Sequence, residues 1–199
     1  MGIEKDSCSW INYGVNNLIN TPLWNLIQEK INSNNNFKWK DGVTKENAGR
    51  KNIRISKIAW LNDDYLREQL FYSVDLYNKQ NWNYDLDGCD AIQYGTYSDG
   101  GKYDWHIDEE ARVGNMGVND QYLMRKLSMT IWLNDPDEYE GGEFDIESEG
   151  PHISPRYHTL KLNKGSIVIF PSNKWHRVRP VTSGVRKSLV TWFRGPPFR

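Results

Sequence analysis

Residues 164–176 have the sequence KGSIVIFPSNKWH, in which a short apolar run lies between two groups of turn-forming residues. Lys164-Gly165 predicts a turn, Ser166–Phe170 predicts a strand that is buried on both faces, and Pro171 ends it. A further strand is expected at Trp175–Arg179. Short buried strands that alternate with tight turns are typical of a β-sandwich or barrel.

The same pattern extends over the second half of the chain. It predicts strands at Asp90–Tyr97, Tyr103–Ile107, Leu127–Leu133, Glu143–Glu147, Thr159–Leu162, Ser166–Phe170, Trp175–Arg179 and Arg186–Phe193. Eight short strands fit a double-sheet jelly roll. We therefore predict a mainly β fold with N-terminal helices, built on a double-stranded β-helix (jelly-roll, cupin-like) core.

The first part of the chain has a mixed, partly helical pattern. Thr21-Pro22 predicts the start of a helix that continues through Leu23–Ile31. Asn62 is expected to cap a longer helix, Asp63–Lys79. We predict a single domain over residues 1–199, in which residues 1–88 form a helical support region packed on the sheet. Residues 89–199 would form the double-stranded β-helix that carries the functional residues.

Two histidines and one aspartate indicate a metal site. His106 and Asp108 are two residues apart in a predicted strand, so their side chains project to the same face. With the distant His176 they would supply two imidazoles and one carboxylate, which is the ligand set of a non-haem iron with open coordination positions. From His106 and Asp108 alone, a hydrogen-bonded surface pair stays open as the alternative.

Arg186 is the candidate anion-binding residue. Period-2 counting puts it on the same face of the last strand as Val190 and Trp192, with Lys187 on the other face. A guanidinium on an apolar face is costly without an anion, and arginine binds carboxylates through a planar fork. This position predicts a bound carboxylate, and a surface guanidinium at a strand end is the alternative.

Six collinear segments resemble a known family. They are Tyr97-x-x-Gly100-x-x-Tyr103-x-x-His106-x-Asp108, residues 127–133 (LSMTIWL), residues 140–144 (EGGEF), Gly165-x-x-x-x-Phe170-Pro171, His176-x-Val178-x-Pro180-Val181 and Arg186-x-Ser188-Leu189-x-x-Trp192. Together they resemble the Fe(II)- and 2-oxoglutarate-dependent oxygenases, most of all the prolyl 4-hydroxylase-like branch called PKHD-type hydroxylases. The resemblance runs from about residue 90 to residue 193 and also implies a double-stranded β-helix with the metal at its mouth.

The resemblance implies roles for particular residues. His106, Asp108 and His176 would ligate Fe(II), and Arg186 would bind the distal carboxylate of 2-oxoglutarate. The implied co-substrate pocket also includes Tyr97, Thr130 and Ser128. The implied substrate contacts are Trp192, Arg125 (or Lys126) and Tyr103; core packing is the alternative for Trp192, and solvated loop charge for Arg125.

The chemistry implied by the resemblance is hydroxylation, with O2 as the second co-substrate, decarboxylation of 2-oxoglutarate to succinate, and ascorbate allowed as a reductant. Asp108 favours hydroxylation, because halogenating relatives carry a small residue there. Three classes of function stay open. The protein would be an oxygenase that hydroxylates a prolyl or other residue in a protein or peptide, an oxygenase that acts on a free small molecule such as an amino acid, or a non-catalytic jelly-roll binding module. Asp108 and Arg186 argue against the third, because a binding module needs neither.

Composition limits the partners. The net charge of −1 gives no reason to expect nucleic acid, and no run is long enough to span a membrane. Two distant cysteines and an N-terminus without an apolar stretch favour the cytoplasm. The acidic residues 134–149 would be a solvated loop or a rim for a basic peptide. Residues 108–126 are expected to be a mobile lid, and the oligomeric state is not predicted.

Overall fold

The computed structural model describes residues 13–34, 36–42, 53–109, 111–113, 122–148 and 154–198. The helices are α1 (Pro22–Ser33) and α2 (Asp64–Asn81). The strands are β1 (Gly14–Asn17), β2 (Lys40–Asp41), β3 (Arg54–Ile55), β4 (Lys57–Leu61), β5 (Gly88–Cys89), β6 (Ile92–Tyr97), β7 (Lys102–His106), β8 (Ala111–Val113), β9 (Tyr122–Trp132), β10 (Tyr139–Gly141), β11 (Phe144–Glu147), β12 (Tyr157–Leu160), β13 (Ser166–Pro171), β14 (His176–Val178), β15 (Val181–Gly184) and β16 (Arg186–Gly195). Neither helix is long and apolar enough to span a membrane.

The strands form two antiparallel sheets and one small ribbon. The larger sheet has the order β1-β13-β9-β16-β6-β4-β2, with β5 paired to β16 and β8 paired to β9. The smaller sheet has the order β12-β11-β14-β7-β3, and β10 pairs with β15. The predicted mainly β jelly roll with N-terminal helices is confirmed.

The apolar core has two layers, and strand β13 contributes to both. Ile167 and Ile169 belong to the cluster that includes residues of α1 and α2, whereas Val168 and Phe170 belong to the cluster that includes residues of both sheets. Because successive side chains of a strand point to opposite faces, a continuous apolar run is what a strand between two packed layers requires. The predicted burial of this strand on both faces is confirmed.

The helices begin at polar caps. The Thr21 hydroxyl accepts a hydrogen bond from the backbone N–H of Trp24 (3.1 Å), with proline in the first helical turn as expected. The predicted cap of α2 is wrong by one residue: the carboxylate of Asp63, not the side chain of Asn62, accepts from the N–H of Leu66 (2.8 Å). Asparagine and aspartate cap helices about equally well, so the pair Asn62-Asp63 does not fix the position from sequence.

Residues 13–88 also supply strands, so a purely helical support region is an incomplete description. Strands β1, β2 and β4 extend the larger sheet, and β3 extends the smaller one. Strands β2 and β3 have only two residues each, which is too short to show an alternating pattern. They nevertheless bring a basic segment to the edge of the central cavity.

The segment predicted as a lid is partly regular structure. Residues 122–126 belong to the long strand β9, and Ala111–Val113 pairs with its beginning. The middle of the predicted lid, residues 114–121, lies outside the described residues.

Candidate functional site

Strand pairing brings the two distant histidines together. His106 is the last residue of β7, His176 is the first residue of β14, and the two are direct antiparallel partners. Asp108 follows β7 by two residues, and its carboxylate oxygens lie 3.7 Å from Nε2 of His106 and 3.3 Å from Nε2 of His176. One ligand atom from each residue lies within 4.8 Å of the others, and all three side chains are buried.

Each histidine ring is held by a hydrogen bond on its far side. Nδ1 of His106 lies 2.8 Å from the carbonyl oxygen of Asp104, and Nδ1 of His176 lies 2.9 Å from that of Lys174. A proton on Nδ1 satisfies both contacts and leaves each Nε2 lone pair directed at the centre of the cluster. The Tyr103 ring also stacks on His106, with 3.4 Å between ring centroids. The rings are therefore oriented by the protein itself.

The electrostatics of the cluster suit a divalent cation. Burial, and then the neighbouring His176, lower the pKa of His106 to about 3, so this imidazole is neutral at pH 7. Burial alone would raise the pKa of Asp108, but the two imidazoles beside it overcome that effect and lower it. Neutral imidazoles and an ionised carboxylate are the forms that bind metal.

A second buried polar group lies at Arg186, the first residue of β16. Arg186 pairs with Tyr97 of β6 and is 1 % exposed. Its Nη1 donates to the Ser188 hydroxyl (3.2 Å), but its Nε and Nη2 have no hydrogen-bond partner. The indole N–H of Trp132 and the hydroxyl of Tyr139 are buried beside it. Tyr139 interacts with both Trp132 and Arg186, but none of these contacts has full hydrogen-bond geometry.

These incompletely bonded donors favour a bound anion. The ring centroid of Trp132 lies 5.1 Å from the Arg186 guanidinium and that of Tyr97 lies 5.6 Å from it, while burial lowers the pKa of Arg186. A guanidinium stays protonated even so, and a buried unpaired charge is destabilising. A carboxylate from a bound molecule would accept from the free fork of Arg186 and neutralise its charge.

One cavity of about 310 Å³ joins the two features, because His106, Asp108, His176 and Arg186 all line it. The other candidates from sequence that line it are Tyr97, Thr130, Trp192, Arg125 and Tyr103. Ser128 is not among the lining residues. Its hydroxyl is buried and lies 2.9 Å from the Ser172 hydroxyl, and its place in a co-substrate pocket stays a prediction.

Trp192 and Arg125 form one wall. The guanidinium of Arg125 lies 3.9 Å from the Trp192 ring centroid and pairs with Asp90 (3.0 Å). The indole N–H of Trp192 is buried without a hydrogen-bond partner, although the residue lines the cavity. Lys126 instead lies 3.3 Å from the Phe198 ring centroid, so Arg125 is the cation of this pair that lines the cavity.

Sequence reasoning missed a further group of lining residues, namely Lys40, Arg54, Trp60 and Gln93. Gln93 lies on β6 at an even spacing from Tyr97, so period-2 counting had the information to place both on one face. Lys40 and Arg54 gave no such indication, because they lie in the two-residue strands.

The acidic segment, residues 134–149, is not the rim of this cavity. None of the acidic side chains in its described part, residues 134–148, lines the cavity. Asp145 instead accepts hydrogen bonds from Arg177 (2.6 Å), Arg179 (2.8 Å) and Thr159 (2.7 Å). His158 lies on strand β12 near Tyr13, and His152 and Cys8 lie outside the described residues.

A jelly roll with two histidines and a carboxylate facing a buried arginine across one cavity defines a class: mononuclear non-haem metal proteins with a carboxylate-bearing co-substrate. Residues 92–194, just over half of the chain, match the family model described as the 2OG-Fe(II) oxygenase superfamily. The chain belongs to this family.

Curated relatives agree over the same region. A PKHD-type hydroxylase of Teredinibacter turnerae is 37 % identical over 102 residues, which cover 51 % of this chain and 42 % of the relative. One from Colwellia psychrerythraea is 41 % identical over 93 residues, covering 47 % of this chain and 37 % of the relative. The match therefore spans less than half the length of these relatives.

Solved structures share the fold. A prolyl hydroxylase from Trichoplax adhaerens, in complex with a peptide fragment of the oxygen degradation domain of hypoxia inducible factor, has a TM-score of 0.68 at 20 % identity. That similarity covers 92 % of this chain and 83 % of the other. A Pseudomonas putida prolyl-4-hydroxylase has a TM-score of 0.65 at 20 % identity, covering 93 % and 94 %.

Proposed function

We propose that this protein is an Fe(II)- and 2-oxoglutarate-dependent dioxygenase that hydroxylates a prolyl or other residue of a protein or peptide and converts 2-oxoglutarate to succinate. The observation that carries the proposal is the placement of a buried His-Asp-His cluster and a buried, unpaired arginine in one cavity. The names of the relatives, PKHD-type hydroxylase and prolyl hydroxylase, support the same chemistry.

One group of residues would bind the metal, and another would bind the co-substrate. His106, Asp108 and His176 would hold the iron from one side, which leaves coordination positions for other ligands. Bound Fe(II) supplies the oxidative chemistry with O2 and 2-oxoglutarate. Arg186 would fix the distal carboxylate of 2-oxoglutarate, with Tyr97 and Thr130 lining the same space.

Two apolar rings beside the cluster would limit the access of water to it. The Phe170 ring packs edge-on against His176 with 4.7 Å between centroids, and Phe144 lies 5.6 Å from the same imidazole. Both rings line the cavity and are almost fully buried. A dry site strengthens the electrostatic contacts of Arg186 and of the metal ligands, because fewer water dipoles screen them.

The substrate would enter beside Trp192, Arg125 and Tyr103. Trp192 offers a flat apolar ring and an unpaired N–H, which together fit a pyrrolidine ring and a neighbouring carbonyl. The peptide in the Trichoplax adhaerens complex supports a peptide substrate. The cavity volume of about 310 Å³ is at the small end of the range for ligand sites and favours a second candidate, a free small molecule such as an amino acid.

The test begins with an anaerobic titration of the Fe(II)-loaded protein with 2-oxoglutarate. We expect a visible charge-transfer band from the chelated keto acid in wild type and its loss in His176→Ala. Iron binding without the band would contradict the proposed role of Arg186. Succinate release and a mass increase of one oxygen atom in proline-containing peptides or free amino acids would then separate the two substrate classes. Use of ascorbate and a cytoplasmic location are further expectations.

A further inference from the structure

A second site of positive charge lies along the cavity from Arg186. Gln93 pairs with Val190 of β16, four residues beyond Arg186. At about 3.3 Å per residue, this puts Gln93 roughly 13 Å along the strand from the Arg186 position. Arg54, Lys40 and Trp60 line the cavity on the same side as Gln93. Together with Gln93, Arg54 and Lys40 form what we call the distal cation site.

Arg54 is surrounded by neutral groups. Its Nη2 donates to the side-chain carbonyl oxygen of Gln93 (2.6 Å), and its Nε donates to the Ser56 hydroxyl (2.9 Å). Its guanidinium lies 4.7 Å from the Tyr103 ring centroid, and Tyr103 in turn stacks on His106. No carboxylate of the described residues pairs with Arg54, so its charge is not neutralised there.

Gln93 supplies a directed donor. The residue is 4 % exposed and lines the cavity, and its carbonyl oxygen is already occupied by Arg54. Its amide N–H groups make no hydrogen bond within the described part of the chain. Because Gln93 lines the cavity and its oxygen is occupied, its amide nitrogen is free to donate to an acceptor bound there.

Lys40 adds a second positive charge to the lining of the cavity. Its ammonium lies 5.8 Å from the ring centroid of Trp60, which is the direct strand partner of Gln93. Lys40 has no carboxylate partner in the described part of the chain. The neighbouring Lys57, by contrast, pairs with Asp41 (2.6 Å) and does not line the cavity.

The acidic residues of the cavity lie elsewhere. Asp108 belongs to the proposed metal cluster, and Glu109 forms no ion pair with Arg54 or Lys40 among the described residues. Asp90 pairs with Arg125 and Arg194. Arg186 is assigned to 2-oxoglutarate. Among the described residues that line the cavity, the cations without an acidic partner are therefore Arg54, which bonds to Gln93, and Lys40, which lies near Trp60.

We propose that the distal cation site binds a carboxylate of the substrate. The amide of Gln93 donates to it, while Arg54 and Lys40 provide the charge. This inference rests on the proposed function, because it takes the remaining cavity space as the substrate site. The carboxylate is either an acidic side chain next to the hydroxylated residue of a peptide or the acid group of a free small molecule.

The test compares isosteric acid and amide probes on the whole protein. The protein is loaded with Mn(II) and saturating 2-oxoglutarate, so that Arg186 is occupied and no turnover takes place. The probes are capped pentapeptides with glutamate or glutamine next to a central proline, and N-acetylproline against N-acetylprolinamide, so that the amide member of each pair carries no carboxylate. Binding is followed by tryptophan fluorescence, since Trp60 and Trp192 line the cavity.

We expect the acid to bind about tenfold or more tightly than its amide, the ratio that one charge-assisted hydrogen bond supplies. Arg54→Gln and Lys40→Gln should each reduce this ratio, and the double variant should abolish it. Lys57→Gln is the matched control, with an unchanged ratio. A preference in the peptide pair alone identifies an acidic peptide as the source, and a preference in the N-acetylproline pair alone identifies a small acid.

Two results overturn the inference. One is equal affinity, or no saturable binding, for both members of every pair. The other is an acid preference that persists in the double variant. Binding of 2-oxoglutarate to the Mn(II) protein is measured first by calorimetry, and its absence would count against the proposed function itself. If 2-oxoglutarate binds and the acid preference is missing, only the distal cation site is rejected.

Discussion

Replacing Arg186 by methionine should stabilise the ligand-free protein while removing its response to 2-oxoglutarate. Arg186 is 1 % exposed, and two of its three guanidinium nitrogens have no hydrogen-bond partner. Each buried unpaired polar group costs about 1–3 kcal/mol, whereas the lost bond to Ser188 and the ring contacts contribute about 2 kcal/mol together. Methionine fills similar space with a flexible apolar chain. We therefore expect the free energy of unfolding to rise by about 1 kcal/mol.

Although Arg186→Met should stabilise the ligand-free protein, it should weaken the binding of 2-oxoglutarate. Two charge-assisted hydrogen bonds from Arg186 to a carboxylate would contribute about 1.5–3 kcal/mol each. Their loss should raise the dissociation constant of 2-oxoglutarate by roughly 100-fold to 10,000-fold. At 100 times its dissociation constant, 2-oxoglutarate should stabilise the wild-type protein by about 2.7 kcal/mol, and at the same concentration it should leave Arg186→Met nearly unchanged.

Urea unfolding followed by tryptophan fluorescence measures both quantities, with Mn(II) present and 2-oxoglutarate added or omitted. Lys187→Met is the matched control, because Lys187 is the next residue on the opposite face of β16 and does not line the cavity. The reasoning is refuted if Arg186→Met lowers the ligand-free stability by more than about 2 kcal/mol and still shows the full stabilisation by 2-oxoglutarate.

Three further predictions concern the metal cluster, a buried carboxylate and a turn. His176→Ala should weaken Fe(II) binding by at least about 100-fold in an equilibrium titration, because one of three converging ligands is lost. Asp145→Asn should lower the free energy of unfolding at pH 7 by about 1–3 kcal/mol, because the fully buried carboxylate accepts hydrogen bonds from two arginines. Its arginine partners lower the pKa of Asp145 in the folded state against the burial that would raise it, so this stability is present above the ordinary pKa of 3.8 and is lost as the pH falls below it. Gly141→Ala should destabilise the fold by more than about 2 kcal/mol in urea, because Gly141 has φ +70° and an added Cβ would lie 2.2 Å from the carbonyl oxygen of Pro180.

Each of these has a distinguishing control. His158→Ala should keep normal iron affinity, since His158 lies outside the cavity; equal loss in both variants would indicate a general defect. Unfolding of Asp145→Asn should depend less steeply on pH below 4 than that of wild type, and identical slopes would contradict the assigned pKa direction. Gly100→Ala tests positive φ alone, because Gly100 has φ +72° with open space around it, and it should cost less than Gly141→Ala.

The sequence supported the prediction of the fold because the strands of the core have strong local patterns. Strand β13 is a continuous apolar run between turns, and its burial on both faces follows from that composition alone. The start of the first helix was also predictable from the sequence, because threonine and proline mark it. The cap of α2 was predicted one residue too early because two good capping residues adjoin.

Only part of the candidate site could be predicted from the sequence. The spacing of His106 and Asp108 in an extended segment puts both on one face, and the structure has them there. Alternation along β16 placed Arg186 inward and Lys187 outward, in agreement with their burial. The role of Ser128 was implied by the family resemblance alone, and its buried hydroxyl lies 2.9 Å from the Ser172 hydroxyl on a neighbouring turn. Local periodicity carries no information about such a partner.

By itself, the sequence determined which residues have the chemistry of the site and which way most of them face, because side-chain direction in a strand follows from a period of two. The tertiary structure decided which residues meet. The pairing of β7 with β14 sets His106 against His176, and the short strands β2 and β3 bring Lys40 and Arg54 to the cavity beside Gln93. These contacts depend on register between segments far apart in the chain. Register is fixed by the packing of the two sheets together, and no single segment encodes it.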